Sequence, residues 1–309
     1  MKKVLVTLSI LALSHTAFAL EQLNDQDLAS QTGQDGITIK VGISEVAFDQ
    51  AALVDSNGMT GASNSAALVM APNASGSSIG INFLNGAGAG VNNLVTATID
   101  SDAGNAGAFA NINLAFSELK TIKVDPFSIY LAPTLNNSRT IGSVGSVFDG
   151  AGLRAGVSKL LQVGEGAEQL NINFINPLAF NVQLGNSPQG HMVKFSGSLQ
   201  SINLPKLKIF SNNSGNQTSA LSLDASFKAN NSTSGFSLDG FYLDVTPDGL
   251  NFGNQGTTDK FDVLLNNVVA GQSGASEAST FNGLKNGSMG NFGVVGATVS
   301  NLKMNVRGM

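Results

Sequence analysis

The sequence predicts an all-β protein, and three observations support this class. Apolar and polar residues alternate with a period of two in many segments, which is typical of strands with one buried face. Dipeptides that favour tight turns, such as Asn85-Gly86 and Asn286-Gly287, separate these segments. Helical periodicity is scarce. We therefore expect an elongated, twisted antiparallel sheet or a β-sandwich with long loops rich in Gly, Asn and Ser.

The first 19 residues have the features of a secretory signal peptide. Lys2 and Lys3 precede an apolar run from Val4 to Leu13, and Ala17-Phe18-Ala19 supplies small residues at a cleavage site. The apolar run is short, which favours cleavage over retention as an anchor. We expect the exported chain to begin at Leu20 and to contain about 290 residues.

Residues 20–36 are predicted to form a short helix followed by a turn. Asn24 can cap the helix, Asp27 stands three residues later, and Gly33 provides a stop. An all-β domain is predicted over 37–309, and its length allows two subdomains with a boundary near 135–170.

The alternation begins at Ile37–Ile43 and recurs to the end of the chain. The further strands predicted from it are 79–84, 111–116, 121–131, 170–175, 178–184, 192–202, 207–210, 220–229, 236–245, 250–252, 260–268 and 292–306. Gly152–Leu161 fits either a helix or an irregular strand. The spacers Gly61–Ser78, Gly86–Asn93 and Asn212–Thr218 are rich in small polar residues and are predicted to be loops.

Two other β architectures remain open. A β-solenoid would require a fixed repeat, and only loose echoes such as Asn111–Leu114 and Asn171–Phe174 occur. An outer-membrane β-barrel would require aromatic girdles, whereas the chain has no Trp and two Tyr. Both are less consistent with the pattern than an antiparallel sheet or sandwich.

Composition excludes several classes of function. The net charge of −5 argues against nucleic-acid binding, which requires a basic surface. The absence of Cys excludes disulfides and a lipid-anchored cysteine. After the signal peptide no apolar segment is long enough for a transmembrane helix.

We predict no catalytic, cofactor-binding or metal-binding residues and no enzyme activity. His191 is the one histidine that remains after signal cleavage, and it stands beside a glycine at a predicted loop edge. Asp100–Asn105 places oxygen ligands close together, but it departs from the EF-hand spacing and is better explained as a solvated turn. The carboxylates of Asp224, Asp239, Asp244 and Asp248 are expected to face outward from strands or turns.

The terminal strands are candidates for contacts with other proteins. In the last strand Leu302, Met304 and Val306 face one way, while Lys303 and Arg307 face the other. Such strands can pair within their own sheet, which we favour, or can add to the sheet of another subunit.

The segment 20–39, LEQLNDQDLASQTGQDGITI, resembles the mature N-terminus of the FilA-like pilus-assembly proteins of Gram-negative bacteria. The shared features are an acidic, Leu-containing stretch, then Thr-Gly-Gln-x-Gly-Ile, then an alternating strand. The resemblance implies a periplasmic, outer-membrane-surface or extracellular protein that contacts other pilus or cell-envelope proteins. It supplies no catalytic or binding residues.

We therefore expect an exported structural or assembly component of a pilus-like surface filament, which acts through non-covalent contacts between subunits. A cell-surface adhesin or carbohydrate-binding module is the first alternative, and an outer-membrane β-barrel is the second. A secreted hydrolase would require a serine and a carboxylate within hydrogen-bond reach of His191.

Overall fold

A computed structural model describes residues 36–55, 64–135, 140–211, 219–272 and 288–307. The described residues from Thr38 onward belong to one compact unit. The predicted signal peptide and the helix expected within 20–36 fall outside the described residues, apart from Gly36. The all-β class is confirmed, since strands dominate the described residues and no α-helix occurs among them.

Twenty-one strands are present in the described part of the chain. Their bounds are β1 Ile37–Val41, β2 Glu45–Phe48, β3 Ala51–Asp55, β4 Ala66–Pro72, β5 Ile79–Leu84, β6 Val95–Asp102, β7 Phe109–Ala115, β8 Thr121–Val124, β9 Phe127–Pro133, β10 Phe148–Asp149, β11 Gly152–Leu153, β12 Ser158–Val163, β13 Leu170–Gly185, β14 Val193–Ser211, β15 Ser219–Ala229, β16 Phe236–Ser237, β17 Phe241–Thr246, β18 Gly249–Asn254, β19 Phe261–Gln272, β20 Ser288–Ala297 and β21 Lys303–Val306.

Nineteen of these strands belong to one large, open sheet, and β10 and β11 form a separate hairpin. The strand pairs with a defined register are antiparallel. The antiparallel sheet expected from the alternation is thus confirmed, and the parallel solenoid is wrong.

The two longest strands, β13 and β14, pair with each other at the centre of the sheet. The second edge of β13 pairs with β8 and then with β7. The edge of β14 that pairs with β13 also pairs with β12. The other edge of β14 pairs with β15, β16 and β17. Strands from before and after residues 135–170 therefore meet on the same pair of strands.

Each long strand was predicted as two shorter ones. The interruptions fall at Pro177 and Pro205, which cannot donate a ladder hydrogen bond. The structure instead continues through both prolines, with register shifts between Asn176 and Ala179 and between Leu204 and Leu207. The signals that suggested strand ends thus mark bulges, where the chain bends without leaving the sheet.

One other expectation requires correction, and one open alternative is decided. The spacer predicted at Gly61–Ser78 contains β4, whose continuous apolar sequence lacks the period-two signal because the strand is largely buried. The ambiguous segment Gly152–Leu161 is extended in β11 and β12, not helical.

Two apolar clusters form the buried core. The first joins β4 to β9 beneath the 3-10 turn Ile141–Ser143, and its largest member, Tyr130, is fully buried. The Tyr130 hydroxyl donates a 2.9 Å hydrogen bond to the Pro72 carbonyl. The second cluster lies under the loop between β5 and β6 and is centred on Leu119 and Phe174.

A chain of phenylalanines crosses the apolar face of the sheet. Successive ring centroids lie 5.1 to 6.0 Å apart. The members, in order, are Phe116, Phe180, Phe195, Phe252, Phe241 and Phe236. Each contact can add about 0.5–1.5 kcal/mol beyond area burial, so the chain, which begins at the residue after β7, stabilises the side-by-side arrangement of β13, β14, β18, β17 and β16.

Asp224 on β15 stabilises a bulge in each neighbouring strand. Its Oδ1 accepts from the Lys206 backbone N–H at 2.8 Å, and its Oδ2 accepts from Asn267 Nδ2 at 2.7 Å. Lys206 and Asn267 have φ angles of 49° and 55°, a region unfavourable for non-glycine residues. Burial raises the pKa of Asp224, but these hydrogen bonds and the Lys206 charge outweigh it and leave the pKa below its usual value.

Asp224→Ala should lower the free energy of unfolding by about 1–2 kcal/mol at pH 7, because both bulges lose their side-chain acceptor. Because the folded-state pKa of Asp224 is lowered, the stabilisation by its carboxylate is complete above pH 3.8. This stabilisation is lost as the pH falls through the folded-state pKa. The difference from the unmodified protein should therefore shrink below about pH 4 in urea titrations. Asp239→Ala, at an exposed turn, is the control. A pH-independent difference would contradict this role.

Candidate functional site

Besides the two-residue β16, which pairs with β14 alone among the described residues, five strands lie at the edges of the large sheet. Among the described residues β1, β2 and β3 each pair on one side only, with β6, β5 and β4 respectively. At the other end of the chain β20 pairs only with β19, and β21 only with β18. The terminal strands therefore pair within their own sheet, as we favoured, but each leaves one edge without a described partner.

β20 is the longest of these outer strands, with ten residues. Apolar side chains are exposed on both of its faces: Phe292 and Val294 on one face are 50% and 57% exposed, and Met289 and Val295 on the other are 54% and 72% exposed. No residue of β20 is charged. The segment Phe292–Val294 pairs regularly with Val263–Leu265, so the centre of the strand is straight between flanking register shifts.

A second exposed apolar surface lies on β17, β18 and β21. Val245, Leu250 and Val306 are direct cross-strand neighbours and are 65%, 39% and 53% exposed. Met304 follows in the next row and is also half exposed. The predicted alternation of the last strand agrees with this arrangement, and Lys303 adds a charge to β21.

His191 lies beside β17 and is held on three sides. Its Nδ1 lies 2.7 Å from Asp244 Oδ2, its Nε2 lies 2.8 Å from Gln255 Nε2, and its ring stacks on Tyr242 with centroids 3.7 Å apart. Because an amide nitrogen only donates, Nε2 accepts from Gln255 and Nδ1 donates to Asp244. Asp244 also accepts from the Met192 backbone N–H at 2.7 Å.

The structure brings together His191 and Asp244, which no pattern in the sequence pairs. Asp244 was expected to be an ordinary outward-facing carboxylate, but the structure places it against His191. The second ring nitrogen, which would activate a hydroxyl in a hydrolase, contacts Gln255. Within the described residues, the hydrogen bonds of His191 include a carboxylate and no serine or threonine hydroxyl.

An amide network continues from His191 across the polar face of the sheet. Asn181 Nδ2 donates to Asn111 Oδ1 and to Gln189 Oε1, at 2.9 and 2.8 Å. Gln183 donates to the same Asn111 oxygen and accepts from the Gln189 backbone N–H. These bonds fasten the loop before β14 to β7 and β13, so the cluster has an evident structural role.

The other predicted oxygen-rich segment is also engaged locally. Asp100 and Asp102 lie at the end of β6, not in a loop as expected, and their carboxylates accept from the backbone N–H groups of Ser101 and Gly104 at 2.7 and 2.5 Å. Within the described residues no group of three or more His, Asp or Glu side chains is arranged to hold a metal ion.

A polar cleft of about 640 Å³ lies between the β4–β5 loop and β12. Lys159 lines it, and its ammonium group lies 5.7 Å from the ring centroids of both Tyr130 and Phe210. Burial, with a contribution from the Lys208 charge, lowers the pKa of Lys159, and Glu165 opposes this. Glu165 itself pairs with Lys208 at 2.9 Å.

Comparison with known proteins gives one match. Residues 1–114 match a family of unknown function, DUF6160, and the match ends within β7. No curated protein and no solved structure matches the chain. Among the described residues no helix is both long and apolar enough to cross a membrane.

Asp244→Ala should lower the free energy of unfolding by about 1–3 kcal/mol, because His191 and the Met192 N–H both lose their acceptor. Urea unfolding at pH 7 would measure this loss. Asp248→Ala, at the exposed turn between β17 and β18, is the matched control and should change stability by less than about 0.5 kcal/mol. Equal effects of the two substitutions would contradict the anchoring role of Asp244.

Proposed function

We propose that this protein is an exported structural or assembly component of a pilus-like surface filament, and that it acts through non-covalent contacts with other pilus or cell-envelope proteins. The observation that carries the proposal is the exposure of apolar side chains on outer strands from both ends of the chain. Ile39 and Val41 on β1 are 46% and 40% exposed, and Val294 and Val295 on β20 are 57% and 72% exposed.

Exposed apolar strands at a sheet edge are unfavourable for an isolated protein. They present unpaired backbone N–H and C=O groups together with side chains that gain free energy on burial, about 25 cal/mol per Å² of apolar area. A protein that functions in contact with partners can retain such strands, because assembly covers them.

The sequence adds the cellular context of the proposal. The signal-like segment Met1–Ala19 supports export, and the resemblance at 20–39 supports a connection with surface filaments. Both segments lie inside the region that matches DUF6160, whose function is unknown.

Deletion of the gene, followed by fractionation and electron microscopy of the cells, tests this function. We expect the unmodified protein in the periplasmic, outer-membrane or extracellular fraction, and we expect the deletion strain to have fewer or altered filaments. Re-expression of the full chain should restore them, and re-expression without residues 1–19 should not. Retention of the protein in the cytoplasm, or normal filaments in the deletion strain, would refute the proposal.

A further inference from the structure

β20 is uncharged, carries apolar side chains on both faces and lies at an edge of the sheet formed by the described residues. Strands that are apolar on both faces are typical of positions with neighbours on each side and layers above and below. β20 carries apolar side chains on both faces beside five Ser, Gly and Asn residues, and its eight residues from Ser288 to Val295 are exposed. The strand therefore matches a position between two others, and the described chain supplies only β19.

The other outer strands of four or more residues each carry a charged residue: Lys40 in β1, Glu45 in β2, Asp55 in β3 and Lys303 in β21. Charges on edge strands oppose unintended pairing, because a second strand would have to desolvate them. β20 has no charge over ten residues. It is thus the outer strand that is best suited to accept a partner strand.

We infer that β20 pairs with β20 of a second copy of this chain, antiparallel and about a twofold axis. A second β20 matches the first in length, whereas β1, β2, β3 and β21 have only four or five residues. It also brings no charge to the interface, and its exposed valines and phenylalanine meet side chains of the same kind. Antiparallel self-pairing of one strand generates the isologous contact of most homodimers.

This inference rests on the proposed function, since it names the partner strand for one of the proposed subunit contacts. The contact joins two sheets into one and leaves the outer edges of β1 and β2 of each copy, which have no partner strand among the described residues. Those edges remain open to further subunits, so the paired unit can be extended on both sides.

Analytical ultracentrifugation of the exported chain and of Val294→Lys tests the pairing. We expect the unmodified chain to dimerise and the variant to show a dissociation constant at least about tenfold higher, since like charges would meet across the twofold axis. Val306→Lys on β21 is the matched control, because Val306 is equally exposed, and it should dimerise normally. Circular dichroism and urea unfolding establish that each variant folds.

Single-cysteine variants provide a second measurement that does not depend on the charge. The chain contains no Cys, so a thiol introduced at residues 291 to 295 can be oxidised only with a second copy. We expect one or more of these variants to form covalent dimers at low protein concentration, and Val306→Cys to remain monomeric.

A monomeric unmodified chain, undiminished association of Val294→Lys, or equal cross-linking at residue 306 would overturn the inference. Capture of a different protein by β20, with no self-association, would also overturn it. In a strain that produces Val294→Lys, normal filaments would refute β20 pairing while leaving the proposed function intact. Normal filaments in the deletion strain would refute the function itself.

Discussion

The antiparallel pairing of β13 with β14 is the interaction on which the rest of the fold depends. β7 and β8 attach to the free edge of β13, and β12, β15, β16 and β17 attach to β14. The remaining strands reach the centre through these neighbours. A second connection runs through β12, which pairs with both β9 and β14, so β12 and the β13–β14 pair together hold the strands that precede residue 135 to those that follow residue 219.

Bulges make such long central strands compatible with a strongly twisted sheet. The register shifts near Pro177 and Pro205 and the left-handed residues Lys206 and Asn267 bend the ladder where a straight strand could not satisfy its neighbours. Asp224 then satisfies backbone and side-chain donors at two of these bends. Asp224 and the bulges thus shape the sheet, while the phenylalanine chain on its apolar face holds the strands side by side.

The sequence predicted the fold class and the face of most strands, but not their lengths or neighbours. Alternation reports which side chains share a face, so Ile79–Leu84 was predicted with its observed bounds. It does not distinguish a proline that ends a strand from one that sits in a bulge. It is also silent for β4, both of whose faces are apolar although Leu68 on one of them is 43% exposed. Likewise, Asp244 and His191 are 53 residues apart, and only the β14–β17 register brings them together.

The exposure of β20 follows from topology, and no residue of the strand predicts it. Its alternation is similar to that of β19, which has a neighbour on each side. The two strands differ in that the described residues place a neighbour, β19, on one side of β20 only, while β21 pairs with β18. A sheet built outward from β13 and β14 must end in some strand, and a charge is the usual way to protect that strand from other chains. β1, β2, β3 and β21 follow this rule and β20 does not. β20 thus differs from those four strands because it has no charged residue. The addition of a further strand would therefore cost least in desolvation at the β19–β20 end of the sheet.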